Sequence, residues 1–282
     1  MTVTSAAFRA LLGPAWWAPA PERLRAAVAG RVVLVTGASS GIGAATARAL
    51  GEAGATVLLV ARRAELLDEL GAGIAKAGGE AAAYPADLTD GDAVDALVAA
   101  VLADHGRVDV VVSNAGKSIR RSQADTTDRF HDIVRTDAVN YLGPVRLVGA
   151  LLPQMRARGS GHVVNVSTVG VDLPAAHWAA YTASKAAFET WLRCVSGEVR
   201  TDGVAVTSIH FPLVHTPMAA PTYGPSVPGM TASDAAGVVC RALVTRPRVV
   251  TPWWVRLARP VVEVAQGPYD AATAAVLRAR RR

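Results

Sequence analysis

Tyr181 and Lys185 stand four residues apart in Tyr181-Thr182-Ala183-Ser184-Lys185, downstream of a glycine-rich segment, Thr36-Gly37-Ala38-Ser39-Ser40-Gly41-Ile42-Gly43. On a helix, residues i and i+4 project from one face, so the phenol and the ammonium can enter one pocket. A free tyrosine titrates at about pH 10, and a neighbouring cation favours the phenolate and lowers that value. Such a phenol can act as a general acid or base. Pairs of this kind also arise by chance, and the glycine segment is what gives this one meaning.

Short β-branched runs must hold these groups in place. From residue 31 they alternate with helical stretches: Val32–Val35, Thr56–Val60, Ala81–Tyr84, Val108–Ser113, His162–Val166 and Val204–Phe211 read as strands. Helices are expected near 42–53, 64–77, 90–105, 127–157, 178–201 and 231–245, with Thr89 and Asp90 as a start signal and Gly159 and Gly161 as stop signals. This order predicts an α/β fold, a Rossmann-type doubly wound parallel sheet flanked by helices, in a single domain over 31–245. Residues 1–30, with Trp16, Trp17 and three prolines, read as a broken-helix extension packed on the body. Residues 246–282 form a second extension.

The run Arg31–Thr36 enters the glycine turn and a helix is expected to begin near Ile42, the strand–turn–helix setting of a dinucleotide site. Gly37 permits the tight turn, Gly41 leaves room for a pyrophosphate, and Gly43 lets helix and strand approach. The helix N-terminus adds unpaired N–H groups and partial positive charge. Where a carboxylate would bind the adenosine ribose of NAD, the second strand ends in Val60-Ala61-Arg62-Arg63. Guanidinium groups match a phosphate, so Arg62, with Arg63 beside it, favours NADP(H) over NAD, with Ser39 and Ser40 as further donors. A solvated arginine pair is the alternative.

From about Val32 to Thr216 the order of these motifs resembles that of the short-chain dehydrogenase/reductase family. The resemblance implies that Asp87 and Leu88 hold the adenine ring. Ser113-Asn114-Ala115-Gly116 resembles the family's Asn-Asn-Ala-Gly, which places Asn114, Ala115 and Gly116 beside the cofactor. Pro212-Leu213-Val214-His215-Thr216 resembles Pro-Gly-x-x-Thr, so Pro212, Val214 and Thr216 would orient the nicotinamide, with Leu213 where glycine is usual. The family's serine, thirteen residues before the tyrosine, falls on Thr168, and Ser167 is the runner-up; consecutive strand residues face opposite ways. Asn140 matches an asparagine that holds a water relayed to the lysine, a position that also suits a helix kink. The implied reaction is hydride transfer to a carbonyl carbon. Tyr181 protonates the oxygen, Thr168 hydrogen-bonds it, and Lys185 holds the ribose and lowers the tyrosine pKa.

The resemblance also implies a substrate lid over Thr216–Thr231. Phe211, Leu213, Met218, Tyr223 and Met230 fit either an apolar substrate or ordinary packing. Asp172, His177 and Trp178 are placed to line the entrance. Phe211–Thr222 resembles the lid region of members that reduce long-chain acyl-CoA or fatty aldehydes. The family pairs its subunits through the helices at 127–157 and 178–201, so a homo-dimer or homo-tetramer is expected. Val145, Leu147, Val148, Leu151, Leu152, Phe188, Trp191 and Leu192 are shared there between the sheet and a twin.

At 282 residues and 51% apolar composition the chain can bury a full core. It has no run of eighteen uncharged apolar residues and no secretory h-region, which predicts a cytoplasmic protein. Its charge of +6 comes from arginine, since the three lysines are Lys76, Lys117 and Lys185. The excess lies late, in Arg246, Arg248, Arg256, Arg259, Arg278, Arg280, Arg281 and Arg282. No nucleic-acid motif accompanies it. Trp253, Trp254, Leu257, Val261, Val262 and Val264, interleaved with Arg256 and Arg259, suit either a docked helix or an interfacial one in peripheral contact with a membrane. Cys194 and Cys240, without metal-ligand spacing, are expected to be buried free thiols. A cofactor-binding module without turnover is the alternative to an enzyme.

Overall fold

The computed structural model describes residues 12–279. The expectations for residues 1–11 and for Arg280, Arg281 and Arg282 lie outside the described residues. Strand β1 (Val32–Thr36) is buried along its whole length, as an apolar run in the middle of a parallel sheet must be. Strands β2 (Thr56–Ala61), β3 (Glu80–Pro85), β4 (Val110–Ser113), β5 (Gly161–Thr168) and β6 (Val204–Phe211) join it in parallel. Period-two alternation divides the interior: Val33 and Val35 enter one core, Leu34 the other.

Strands β7 (Val214–His215) and β8 (Met230–Thr231) form a separate parallel pair, while β9 (Val249–Val250) adds a seventh strand beside β6. The sheet order is β3-β2-β1-β4-β5-β6-β9. It reverses between β1 and β4, the point where an open α/β sheet leaves a crevice at its carboxyl edge. No expectation covered β9, because two residues carry no alternation.

The helices are α1 (Pro21–Val28), α2 (Gly41–Glu52), α3 (Ala64–Lys76), α4 (Gly91–His105), α5 (Phe130–Asp137), α6 (Gly143–Ala157), α7 (Ala179–Val199), α8 (Ala232–Thr245), α9 (Trp253–Val264) and α10 (Gln266–Ala279). Asp90 caps α4 by accepting from the N–H groups of Asp92 and Ala93, and a reciprocal Thr231/Asp234 box caps α8.

The single helix expected over 127–157 is broken. Between α5 and α6 lies a π-helical turn, Ala138–Leu142, centred on the fully buried Asn140. The Asn140 amide Nδ2 donates to the Lys117 carbonyl at 2.9 Å, and its Oδ1 accepts from the Lys117 N–H at 2.8 Å. Holding a neighbouring loop this way widens one turn, a distortion common beside functional sites.

Both extensions pack on the body. Trp16, in a short 3₁₀ turn (Pro14–Trp16), is fully buried, its ring edge-on to Phe211 at 5.7 Å. Helix α9 buries Val255 and leaves Leu257, Val261 and Val264 exposed. Leu147, Val148, Leu151, Leu152, Phe188 and Leu192 are buried in the chain's own core. Cys240 is buried, but Cys194 is exposed, contrary to expectation, because it falls on the outer face of α7. Among the described residues, no helix is long and apolar enough to cross a membrane.

Candidate active site

A cleft of about 1080 Å³ opens at the carboxyl edge of the sheet. One end is the β1–α2 turn. Gly37 and Gly41 adopt φ of +65° and +57°, and a Cβ on Gly37 would lie 2.8 Å from the Asn114 amide. Gly43 stands behind the cleft: a Cβ there would come within 2.6 Å of Asn114 Nδ2. Asn114 is fixed by donating from Nδ2 to the Thr36 carbonyl at 2.9 Å, which locks β4 against the turn. Helix α2 starts at Gly41, one residue earlier than expected, and its first residues, Gly41 and Ile42, line the cleft.

Ser39, Ser40, Gly41, Ile42, Asp87, Leu88, Ala115 and Gly116 line the same end. Arg63 donates to the Ser39 hydroxyl at 3.1 Å. The exposed Arg62 lies 3.8 Å from Asp87. Of the two arginines, Arg63 is therefore the one in contact with the glycine turn. Together with Thr89, which hydrogen-bonds Asp87, Arg62 helps hold that carboxyl below its ordinary range against the opposing effect of burial.

At the other end, β5 delivers Ser167 and Thr168, and α7 delivers Tyr181 and Lys185. Both residues line the cleft, at the point where the chain leaves the strand at Thr168 into a 3₁₀ turn, Val169–Val171. Of the two residues, Thr168 is the one whose hydroxyl lowers the Tyr181 phenol's pKa, and it accepts from the Gly170 N–H at 3.2 Å. Ser167 Oγ is buried with no hydrogen-bond partner among the described residues. Asn140 lies behind the cleft wall, where its Nδ2 also donates to Ser184 Oγ at 2.9 Å.

Burial outweighs the lowering expected from the lysine in this arrangement. Burial pushes the Tyr181 phenol up to about 12, and the Thr168 hydrogen bond only partly opposes it. Lys185 is pushed down to about 8 by burial, against the charge of Glu189 one turn along α7. Its ammonium donates to the Val166 carbonyl at 3.0 Å. The phenol is thus protonated at neutral pH, as an acid that donates to a developing alkoxide must be.

Phe211, Leu213, Met218, Tyr223 and Val227 give this end an apolar wall. Met230, expected among them, is instead fully buried in the core through the β7–β8 pairing. Trp178 lines the cleft, but Asp172 does not. Asp172 is buried behind the wall, held by His210 Nδ1 at 2.5 Å. His177 turns its backbone into the left-handed region, at φ +72°, and its side chain stays out of the cleft. Sequence reading missed the partners Glu189, His210 and Arg259; the Lys185–Glu189 spacing of one helical turn was the available signal.

The chain is similar to known proteins. The profile of the short chain dehydrogenase family matches residues 31–224. A fatty acyl-CoA reductase of Acinetobacter baylyi is 46% identical over 84% of this chain and 81% of its own. A fatty acyl-CoA reductase of Mycobacterium tuberculosis is 41% identical over 89% of this chain and 86% of its own. The solved structure of a metagenomic short-chain oxidoreductase in complex with NADP is 35% identical, covering 80% of this chain and 97% of that one, with a TM-score of 0.71. The chain belongs to the short-chain dehydrogenase/reductase family and is an oxidoreductase.

Proposed function

We propose that the protein uses NADP(H) to interconvert a long apolar carbonyl compound, a fatty aldehyde or fatty acyl-CoA, and its reduced product. The observation that carries this reading is a single apolar-walled cleft that brings Thr168, Tyr181 and Lys185 to one end and a glycine turn flanked by Arg62 and Arg63 to the other. The cofactor fits this chain's residues. The positive-φ glycines leave a floor without side chains, and the helix N-terminus and both guanidinium groups offer donors to phosphates. When bound, NADPH supplies the hydride.

The chain's own groups do the rest. Thr168 holds the carbonyl oxygen and Tyr181 Oη delivers a proton to it, so an aldehyde gains one hydride and one proton to become the alcohol. Lys185 would hold the ribose, and its charge beside the phenolate would ease proton loss from Tyr181. Asn140 keeps the Lys117 loop in register with the catalytic helix. Ser39 and Arg63 would bind the 2′-phosphate, and Arg62, Asp87 and Leu88 would hold the adenine ring. The identity of the relatives as fatty acyl-CoA reductases and the wall of Phe211, Leu213, Met218 and Tyr223 support a long-chain substrate. NADPH and NADH oxidation against aldehydes and acyl-CoA thioesters of rising length tests this. Turnover should be confined to NADPH, rise with chain length and vanish in Tyr181→Phe; unchanged turnover in that variant removes the mechanism.

A peripheral membrane role for the C-terminal segment draws on the outer face of α9. Trp253, Leu257, Val261 and Val264 are 57%, 64%, 63% and 90% exposed, and Arg256 lies alongside. Aromatic and aliphatic side chains next to cations suit a lipid interface. Flotation with anionic vesicles should be lost in Leu257→Asp/Val261→Asp; equal flotation of that variant, or none by the parent, removes the role.

A further inference from the structure

Between β5 and α7 the chain runs from Asp172 to Trp178 and supplies Leu173, Ala175 and Trp178 to the cleft. This wall is tied down from outside the active site. Asp172 uses both carboxylate oxygens: Oδ2 accepts from His210 at 2.5 Å, and Oδ1 accepts from Arg259 Nη1 at 3.1 Å. Arg259 belongs to α9 and is braced by Glu263 one turn further on, at 2.9 Å. On its far side His210 lies 3.4 Å from Glu189, whose other oxygen accepts from Asn165 at 3.1 Å. Two buried carboxylates are thus faced by one imidazole, one guanidinium and, on the Glu189 side, the Lys185 ammonium.

The second tie is also C-terminal, from the Tyr269 hydroxyl of α10 to the Pro174 carbonyl at 2.6 Å. A third comes from the Arg121 N–H, which donates to the His177 carbonyl at 2.8 Å. His177 itself carries the left-handed φ of +72°. A non-glycine residue stays in that conformation only where its surroundings hold it there.

We propose that the α9–α10 pair positions the substrate-side wall of the cleft, with Arg259 as the positioning residue acting through Asp172. The proposal rests on the reading of the cleft as a carbonyl-reducing site. Without the guanidinium, Asp172 is left buried with less compensation, and the wall relaxes around it. Substrate fit then suffers, while the glycine turn, on the other side of the crevice, keeps its cofactor affinity.

Arg259→Ala and Arg259→Lys in the full chain test this by amide hydrogen exchange over 172–178 and by steady-state kinetics. In Arg259→Ala, exchange in that segment should quicken and KM for long carbonyl substrates should rise about tenfold, with kcat and the NADPH Kd unchanged. Arg259→Lys should restore both. Unchanged exchange together with unchanged KM overturns the proposal. If Arg259→Ala fails to fold, Tyr269→Phe, which removes a single hydrogen bond, is read by the same criteria. If the parent reduces no carbonyl at all, the functional reading above fails, while the exchange measurement still decides whether α9 and α10 hold the wall.

Discussion

Trp178 and Tyr223 lie parallel, their ring centroids 6.1 Å apart and their planes inclined by 4°. Trp178 comes from the wall held by Asp172, and Tyr223 from the excursion between β7 and β8, whose ends are joined by the pairings of Val214 with Met230 and His215 with Thr231. The stack therefore joins the two walls of the cleft beside Tyr181, which Trp178 meets edge-on at 5.8 Å. Tyr223→Ala should raise KM for long carbonyl substrates and leave the NADPH Kd alone. Equal KM values across the chain-length series would show that the stack takes no part in holding substrate.

Thr168 stands where a serine would carry the same hydroxyl, so the hydroxyl and not the methyl should matter. Thr168→Ser should keep kcat within about threefold, while Thr168→Ala should lose about 10²–10³-fold. Ser167→Ala should have little effect, because Ser167 does not reach the phenol. The opposite pattern, with Ser167→Ala inactive and Thr168→Ala active, would exchange the two assignments.

Trp16 fills the core beneath Phe211, and its indole N–H has no partner among the described residues. Its stabilisation comes from packing. Trp16→Ala should destabilise the fold by about 3–5 kcal/mol, measured by urea unfolding. A loss below 1 kcal/mol would mean that the core collapses around the gap.

Two buried histidines set opposite limits on stability. His210 would be lowered by burial alone, but its hydrogen bond to Asp172 and the carboxylate of Glu189 3.4 Å away raise it to about 9 from 6.5. Folding therefore favours its protonated form; that contribution is complete below pH 6.5 and is lost as pH rises through 9. His162, with its Nε2 2.9 Å from the Thr207 hydroxyl, is pushed down by burial to about 3. The unfolded chain takes up a proton there first, so stability falls as pH drops from 6.5 toward 3. Unfolding free energies from pH 4 to 8, below the range where Lys185 at about 8 opposes the trend, should peak near pH 6.5, and His210→Gln should flatten the decline above it. An unchanged alkaline limb in that variant would clear His210 of the role.

Most of the sheet and the cofactor end of the cleft were legible in the sequence by itself. Strands such as Val32–Thr36 are apolar throughout, the glycines of Gly37–Gly43 are required by close backbone approach, and Tyr181 and Lys185 meet because one helical turn separates them. Those signals are local, fixed by neighbours a few residues away. Tertiary structure decided the rest. The break at Asn140 depends on the distant Lys117 backbone, and β9 exists only because β6 offers it an edge. Met230 was drawn from the cleft into the core by strand pairing. The phenol pKa follows burial more than the nearby lysine, since desolvation depends on everything packed around a group. Asp172, expected at the entrance, ended beneath it because His210 and Arg259, 38 and 87 residues away, converge on its carboxylate. No periodicity encodes a meeting at that range; it follows from how the layers pack.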